Sequence, residues 1–353
     1  MANSSTVHSK CRQSTSVEYG QPIISAVMFA AGVVGNIVAL VLLRVRRKRT
    51  SPSLYQVLVT ALLMTDLLGS ISVSPVVLSA YAQNKTLVGM GAKNALCRYF
   101  GFNMTFLSLS TLAILCVMAL ERYLSIGHPY FYERHLSERC SYIPIALIYL
   151  GSIIFCVPPF LNVGEYVQYC PGTWCFLEMR SNDLASNVHI GLYASFILII
   201  TATTVVCNIT VIFLLVKMYI KGKVRRSGVS ARPPYHRSRS MTEEVEHLLP
   251  LAIITVVFIC CTFPIVIQVY INLTNSQSSS EEDIADLKAL RLLSFNSIIN
   301  PWVFIILRPS FLKIVWRKLR KQQKSTFIGG ESLNAQSKHK EGRPCHAAAE
   351  AGQ

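Results

Sequence analysis

The stretch LKALRLLSFNSIINPW (residues 287–302) is apolar enough for lipid, yet it carries an arginine, Arg291, well inside it. On insertion scales an arginine at the centre of a bilayer costs roughly 2.5–3.5 kcal/mol, so such residues face a protein interior and have a partner there. Arg291 lies ten residues before Pro301, about 15 Å along a helix that rises 1.5 Å per residue. That depth leaves three solutions: the side chain snorkels to the surface, it pairs with Asp283 or Asp286 one or two turns away, or it meets a charge that the chain does not supply.

The rest of the chain makes a lipid environment the right frame. Of 353 residues, 52% are hydrophobic and only 15% charged, with a formal net charge of +16. A bilayer-spanning helix needs about 20 mostly apolar residues. Seven segments qualify, at 22–44, 54–80, 94–125, 141–161, 186–219, 245–272 and 285–308. The expected fold is therefore an all-α membrane protein, one seven-helix bundle spanning residues 22–308. The third, fifth and sixth segments exceed the hydrocarbon thickness and should project beyond it or tilt.

Basic residues set the orientation, because they collect on the cytoplasmic side. RVRRKR (44–49), KGKVRRSGVSARPPYHRSR (221–239) and KIVWRKLRKQQK (313–324) all fall on one side of a seven-span chain. Residues 1–21 then face outside. Residues 1–20 lack an apolar run of the signal-peptide kind, so the first span is expected to direct insertion. The same basic runs border spans and face anionic lipid, which argues against a nucleic-acid partner. After the seventh span, residues 309–322 alternate Phe311, Leu312, Ile314, Val315, Trp316 and Leu319 with basic residues. They read as a short amphipathic helix on the inner leaflet. Residues 323–353, rich in Ser, Lys and small residues, read as a disordered tail, and Cys345 is too remote to serve as a palmitoyl attachment beside the bundle.

On the outer side, Asn3, Asn84 and Asn272 each begin an N-x-S/T glycosylation sequon, whereas Asn103 and Asn208 match the pattern inside spans. Four cysteines, Cys11, Cys97, Cys170 and Cys175, lie where disulfides can persist. Cys97 with Cys175 would tether the loop VQYCPGTWCF (167–176) to the third span and leave Cys11 facing Cys170, although four cysteines allow three pairings. In that loop Pro171 and Gly172 favour a turn. A hairpin there would cap the mouth of the bundle. The remaining cysteines lack zinc-site spacing, and neither a metal nor a cofactor is expected.

Several motifs occur in the right spans and order for a known family. ALERYLSIGHP (119–129) closes the third span, GN (35–36) lies in the first, TDLLG (65–69) in the second and NP (300–301) in the seventh. From about residue 20 to 325 the chain resembles the rhodopsin-like G-protein-coupled receptors. QYCPGTWCF, SVSPVVLSAYAQN (72–84) and LKALRLLSFNSIINPW are similar to the prostanoid receptors within that class. SAVMF (25–29), ERYLSIGHPYFY (121–132) and EEVEHLLPLAI (243–253) look most like the E-series branch that couples to the stimulatory G protein, Gs, and the D-series receptors are the near alternative.

The resemblance supplies the missing charge: Arg291 would bind the carboxylate of a prostaglandin, which a guanidinium fork matches in a bidentate way. It implies hydroxyl partners for that carboxylate at Tyr81 and Thr173, and ring or chain contacts at Ser25, Met28, Phe100, Phe102, Met104, Trp174, Leu287 and Ser294. It also implies that Glu121 restrains Arg122 in the inactive bundle, with Tyr123 beside them, and that Arg122 meets the G protein in the active one. Asp66, with Asn36 and Asn300 near it and Pro301 below, would repack between the two states. Prostaglandin, Gs, arrestin, receptor kinases and membrane lipid are the implied partners, with the plasma membrane as the location. Two departures weaken a direct transfer of the class's activation scheme. Thr262 stands in CTFP (261–264) where most members carry tryptophan, and Phe304 in NPWVF (300–304) where tyrosine is usual.

Other functions fit less well. A retinal-binding opsin needs a lysine in the core of the seventh span, and Lys288 lies near its outer end. Transporters and channels show several midplane charges, whereas Asp66 is essentially alone at depth. No HExxH, GxSxG or catalytic acid pair occurs within the spans, so enzyme chemistry is not expected.

Overall fold

In a computed structural model, residues 14–17, 22–47, 54–91, 94–136, 142–227, 248–274 and 280–306 are described. The expected amphipathic helix and tail, Asn3 and Cys11 lie outside them. Seven long helices carry the fold: α1 (Pro22–Arg47), α2 (Leu54–Gln83), α3 (Ala95–Gly127), α4 (Tyr142–Cys156), α5 (Leu184–Ser227), α6 (Leu248–Thr274) and α7 (Ser280–Ile306). Their sequences explain the choice, since lipid offers no partner for a backbone N–H or C=O and a helix satisfies its own. Among the described residues, six helices are long and apolar enough to cross a membrane. The seventh begins SEEDIADLKALR, and that concentration of charge keeps its hydropathy below the others.

α3 runs for 33 residues and α5 for 44, longer than any bilayer needs. The burial pattern is that of a membrane bundle. Val34, Phe213 and Ile154 are exposed on outward faces while Asn36, Asp66, Thr105 and Ser110 are buried. Small residues let helices approach where they must. A Cβ on Gly35 of α1 would lie 2.8 Å from the Trp302 indole nitrogen. That indole donates to the Ala31 carbonyl at 3.2 Å, fixing α7 against α1.

The loop before α5 forms the expected hairpin, β1 (Tyr166–Tyr169) paired antiparallel with β2 (Trp174–Leu177). Gly172 turns the chain with φ +99°, and a Cβ there would collide with the Thr86 side chain. Only glycine suits both demands. The hairpin is tied to its surroundings on several sides. A Cys97–Cys175 disulfide joins β2 to α3. Leu87 N–H donates to the Gly172 carbonyl (2.9 Å), and Val88 N–H to Gln168 Oε1 (3.0 Å). Gln168 Nε2 in turn donates to the Ser14 carbonyl at 3.2 Å, so the N-terminal segment is stitched to the same cap. Cys170 is disulfide-bonded as well.

Candidate ligand-binding site

Beneath the hairpin, α1, α2, α3 and α7 line a small, partly open cavity of about 90 Å³. It runs from Trp174 in β2 to Asp66 in α2, and Ser25, Met28, Met104 and Ser294 also line it. Five of the residues expected to contact a ligand's ring or chains are thus brought to one space. Helical spacing explains their convergence. Ser25 and Met28 are three apart on α1, Ser70 and Ser74 four apart on α2, and Ser294 and Ser297 three apart on α7, so each pair shares a face. The mixture is apolar wall with scattered hydroxyls, the usual makeup of a small-molecule site. Trp174 adds a polar feature, because its buried indole Nε1 has no acceptor among the described residues.

Arg291 is one helical turn from Ser294 on the hairpin side and is partly buried. Among the described residues it has neither an ion-pair nor a hydrogen-bond partner. Asp286, the acid five residues before it, is engaged elsewhere: its Oδ2 lies 3.6 Å from Arg180 Nη2, and its Oδ1 accepts from Asn272 Nδ2 at 2.8 Å. Arg291 and Asp286 do not pair in this arrangement, and the Asp283 side chain lies outside the described ones. Tyr81 and Thr173 sit together, Thr173 Oγ1 donating to Tyr81 Oη at 3.4 Å.

Three expected contact residues do not line the cavity. Phe100 packs edge-on against Trp174 at 5.8 Å and supports the wall from behind. Leu287 is buried in α7 near its charged start. Phe102 stacks on Phe106 at 6.0 Å and meets Phe160 edge-on at 5.9 Å, which places it on the α4 side of α3.

Asp66 closes the deep end of the cavity. Its oxygens accept from Thr111 Oγ1 (2.9 Å) and Asn300 Nδ2 (3.2 Å), and all three residues are buried. Asn36, expected in this cluster, instead donates to the Gly32 carbonyl of its own helix at 2.9 Å. At the far end of α3, Glu121 Oε2 lies 3.4 Å from Arg122 Nε, and the Arg122 guanidinium sits 3.7 Å above the Tyr55 ring. Tyr132, in the short helix Pro129–His135, donates its hydroxyl to Glu121 Oε1 at 2.7 Å. Burial and this carboxylate push the Tyr132 phenol well above its ordinary range, so it remains a donor. Tyr123 faces His128 across 3.3 Å. Pro301 is buried on α7 below Asn300.

Residues 35–304 match the family model described as the 7 transmembrane receptor, rhodopsin family. The chain belongs to that family. It is 48% identical to the mouse (Mus musculus) prostaglandin E2 receptor EP2 subtype over 83% of each chain, and 46% identical to the human (Homo sapiens) form over 83% of this chain and 84% of that one. The cattle (Bos taurus) prostaglandin D2 receptor is 39% identical over 88% of this chain and 92% of its own. Squid rhodopsin superposes with a TM-score of 0.67 at 15% identity over 84% of each chain, which bears on fold alone. The chain is thus a multi-pass G-protein-coupled receptor that groups with the prostanoid receptors, with a small-molecule ligand and a G protein as its partners.

Within this receptor, glycosylation at Asn272 also conflicts with where its side chain sits. Asn272 is 3% exposed and bonded to Arg180, Gln268 and Asp286. A glycan on it would have to break that network, so Asn272 is not an acceptor in the folded bundle, whereas Asn84 is exposed beside the cap. Arg180, Tyr55 and Tyr132 were not singled out by the sequence. Their partners are 106, 67 and 11 residues away, and no periodicity reports such pairings.

Proposed function

We propose that this receptor sits in the plasma membrane with its hairpin face outside, binds an E-series prostaglandin and activates Gs to raise cyclic AMP. The observation that carries the reading is Arg291, a partly buried arginine one turn from the cavity with no carboxylate partner among the described residues. A prostaglandin brings one carboxylate and two apolar chains, which fits a guanidinium at the mouth and a mostly apolar space below it. Tyr81 and Thr173 supply hydroxyls near the same mouth, and the unpartnered Trp174 N–H offers a donor to a ligand oxygen. The cavity as it stands is smaller than the roughly 300–1,000 Å³ of typical ligand sites. A ligand of this class would need a wider arrangement of the bundle, and it would favour that arrangement by its differential affinity for it.

The higher identity to E-series than to D-series receptors favours the first ligand; a D-series ligand is the alternative. Titrating both series against cells expressing the chain, with cyclic AMP as readout, is expected to show a lower half-maximal concentration for the E series. A D-series preference would keep the arginine clamp and overturn the subtype, and silence to both at confirmed surface expression would overturn the class of ligand.

At the opposite face, Glu121, Tyr132 and Tyr55 restrain Arg122 until the G protein engages it, and the tail beyond α7 is offered to receptor kinases and arrestin. A hydrogen bond to a charged group contributes about 1.5–3 kcal/mol. Tyr132→Phe is accordingly expected to raise ligand-independent G-protein activation several-fold. Basal nucleotide exchange at matched expression measures it; an unchanged rate would mean that Tyr132 does not hold the resting state.

A further inference from the structure

Apart from the cavity, one buried polar cluster joins the segment after β2 to α6 and α7. Arg180, three residues past β2, donates through Nη2 to Asn272 Oδ1 of α6 at 2.8 Å and lies 3.6 Å from Asp286 Oδ2 of α7. Asn272 passes the contact on, donating to Asp286 Oδ1 at 2.8 Å, while Gln268 Nε2 donates to Asn272 Oδ1 at 3.3 Å. The side chains of Arg180 and Asp286 are only 9% and 3% exposed. A charge so buried is costly unless it is paired and hydrogen-bonded, so the cluster has a reason to exist that packing alone does not give.

Its position suggests that reason. Asp286 is five residues before Arg291 on α7, about 7.5 Å along the axis at 1.5 Å per residue. Five residues are about 1.4 turns, so the two side chains point to different sides and do not bond directly. Yet the field of a buried carboxylate at that range, in a medium of low dielectric, acts on any anion brought to Arg291.

We propose that Arg180 is a specificity-determining residue of the ligand site: it neutralises Asp286 and so lets an acid occupy Arg291 unopposed. The role rests on the reading of Arg291 given above. Arg180 itself touches no ligand. It acts by cancelling a negative charge that would otherwise both repel an incoming carboxylate and draw on the positive field of Arg291. In the same stroke it fastens the hairpin to α6 and α7, but fastening alone would not distinguish a charged ligand from a neutral one.

That difference supplies the test. Inhibition constants for a prostaglandin acid and for its methyl ester are measured on membranes carrying the full chain, Arg180→Gln, Asp286→Asn, the double variant and Arg291→Ala. Arg180→Gln is expected to weaken the acid by about tenfold or more and the ester by less than about threefold, and adding Asp286→Asn should return the acid to within about threefold of the unsubstituted receptor. Equal losses for acid and ester, or no recovery in the double variant, would reduce Arg180 to a structural role and overturn the inference. Should Arg180→Gln not reach the surface, Asp286→Asn alone decides. It leaves Arg180 with a surplus positive charge, so the acid-over-ester preference should hold or rise, and a fall overturns the proposal. The Arg291 arm separates two failures. If Arg291→Ala leaves the acid-over-ester preference intact, the carboxylate reading is at fault; if it abolishes the preference while Arg180→Gln does not reduce it, only the role of Arg180 is.

Discussion

Arg291→Ala is expected to weaken binding of the prostaglandin acid by about 2–5 kcal/mol, the range for truncating one partner of a buried, hydrogen-bonded charge pair. That corresponds to roughly 30-fold to 4,000-fold in dissociation constant at 1.4 kcal/mol per decade. The effect is large because the variant removes a partly buried positive group that the seventh helix offers one turn from the cavity, and the ligand must still shed the water around its carboxylate. Arg291→Lys should fall between the two, since an ammonium keeps the charge but loses the planar fork. Saturation binding on membranes with matched surface expression reads both. An Arg291→Ala receptor that binds the acid as tightly as the unsubstituted chain would show that the carboxylate is held elsewhere, with Tyr81 and Thr173 as the first places to look.

The prominence of Arg291 is legible in the sequence, because an arginine in lipid is costly and a costly residue must have a use. Six of the seven spans were legible for a similar reason, since runs of 20 or more apolar residues have few stable arrangements other than a membrane helix, while the seventh carries a charged start. The family resemblance pointed to Ser25 and Ser294, and the cavity adds Ser70, Ser74 and Ser297, which the sequence did not single out. What spacing could not report is which face looks inward. Phe102 illustrates this, being two residues from Phe100 and Met104 and therefore turned from them toward α4, where Phe160 receives it. Asn272 illustrates a second limit. A sequon is a local pattern, while burial depends on Arg180 and Asp286, which meet Asn272 from the segment after β2 and from α7. The same holds for Tyr132, whose value lies in reaching Glu121 from a helix outside the bundle.

Cys97→Ser is expected to reduce ligand affinity at least tenfold, and the reason is the number of site features carried by one strand. Trp174 walls the cavity, Thr173 meets Tyr81, and Cys175 holds both to α3, all within three consecutive residues. The disulfide closes a sequence separation of 78 residues, for which the chain-entropy model gives about 4–5 kcal/mol of constraint on the open chain. Hydrogen bonds from Leu87 to the turn and from Val88 to Gln168 of β1 remain when it is cut, so the receptor should still fold and reach the surface. The hairpin would then sample positions in which Trp174 leaves the cavity, and each such position lowers the competent fraction and raises the apparent dissociation constant in proportion. Cys175→Ser should match Cys97→Ser, and the double variant should be no worse than either, because both single changes remove one shared bond. Full affinity in a well-expressed Cys97→Ser receptor would mean that the remaining ties fix the cap unaided. A double variant clearly weaker than the singles would mean that the two sulfurs act through something other than their bond.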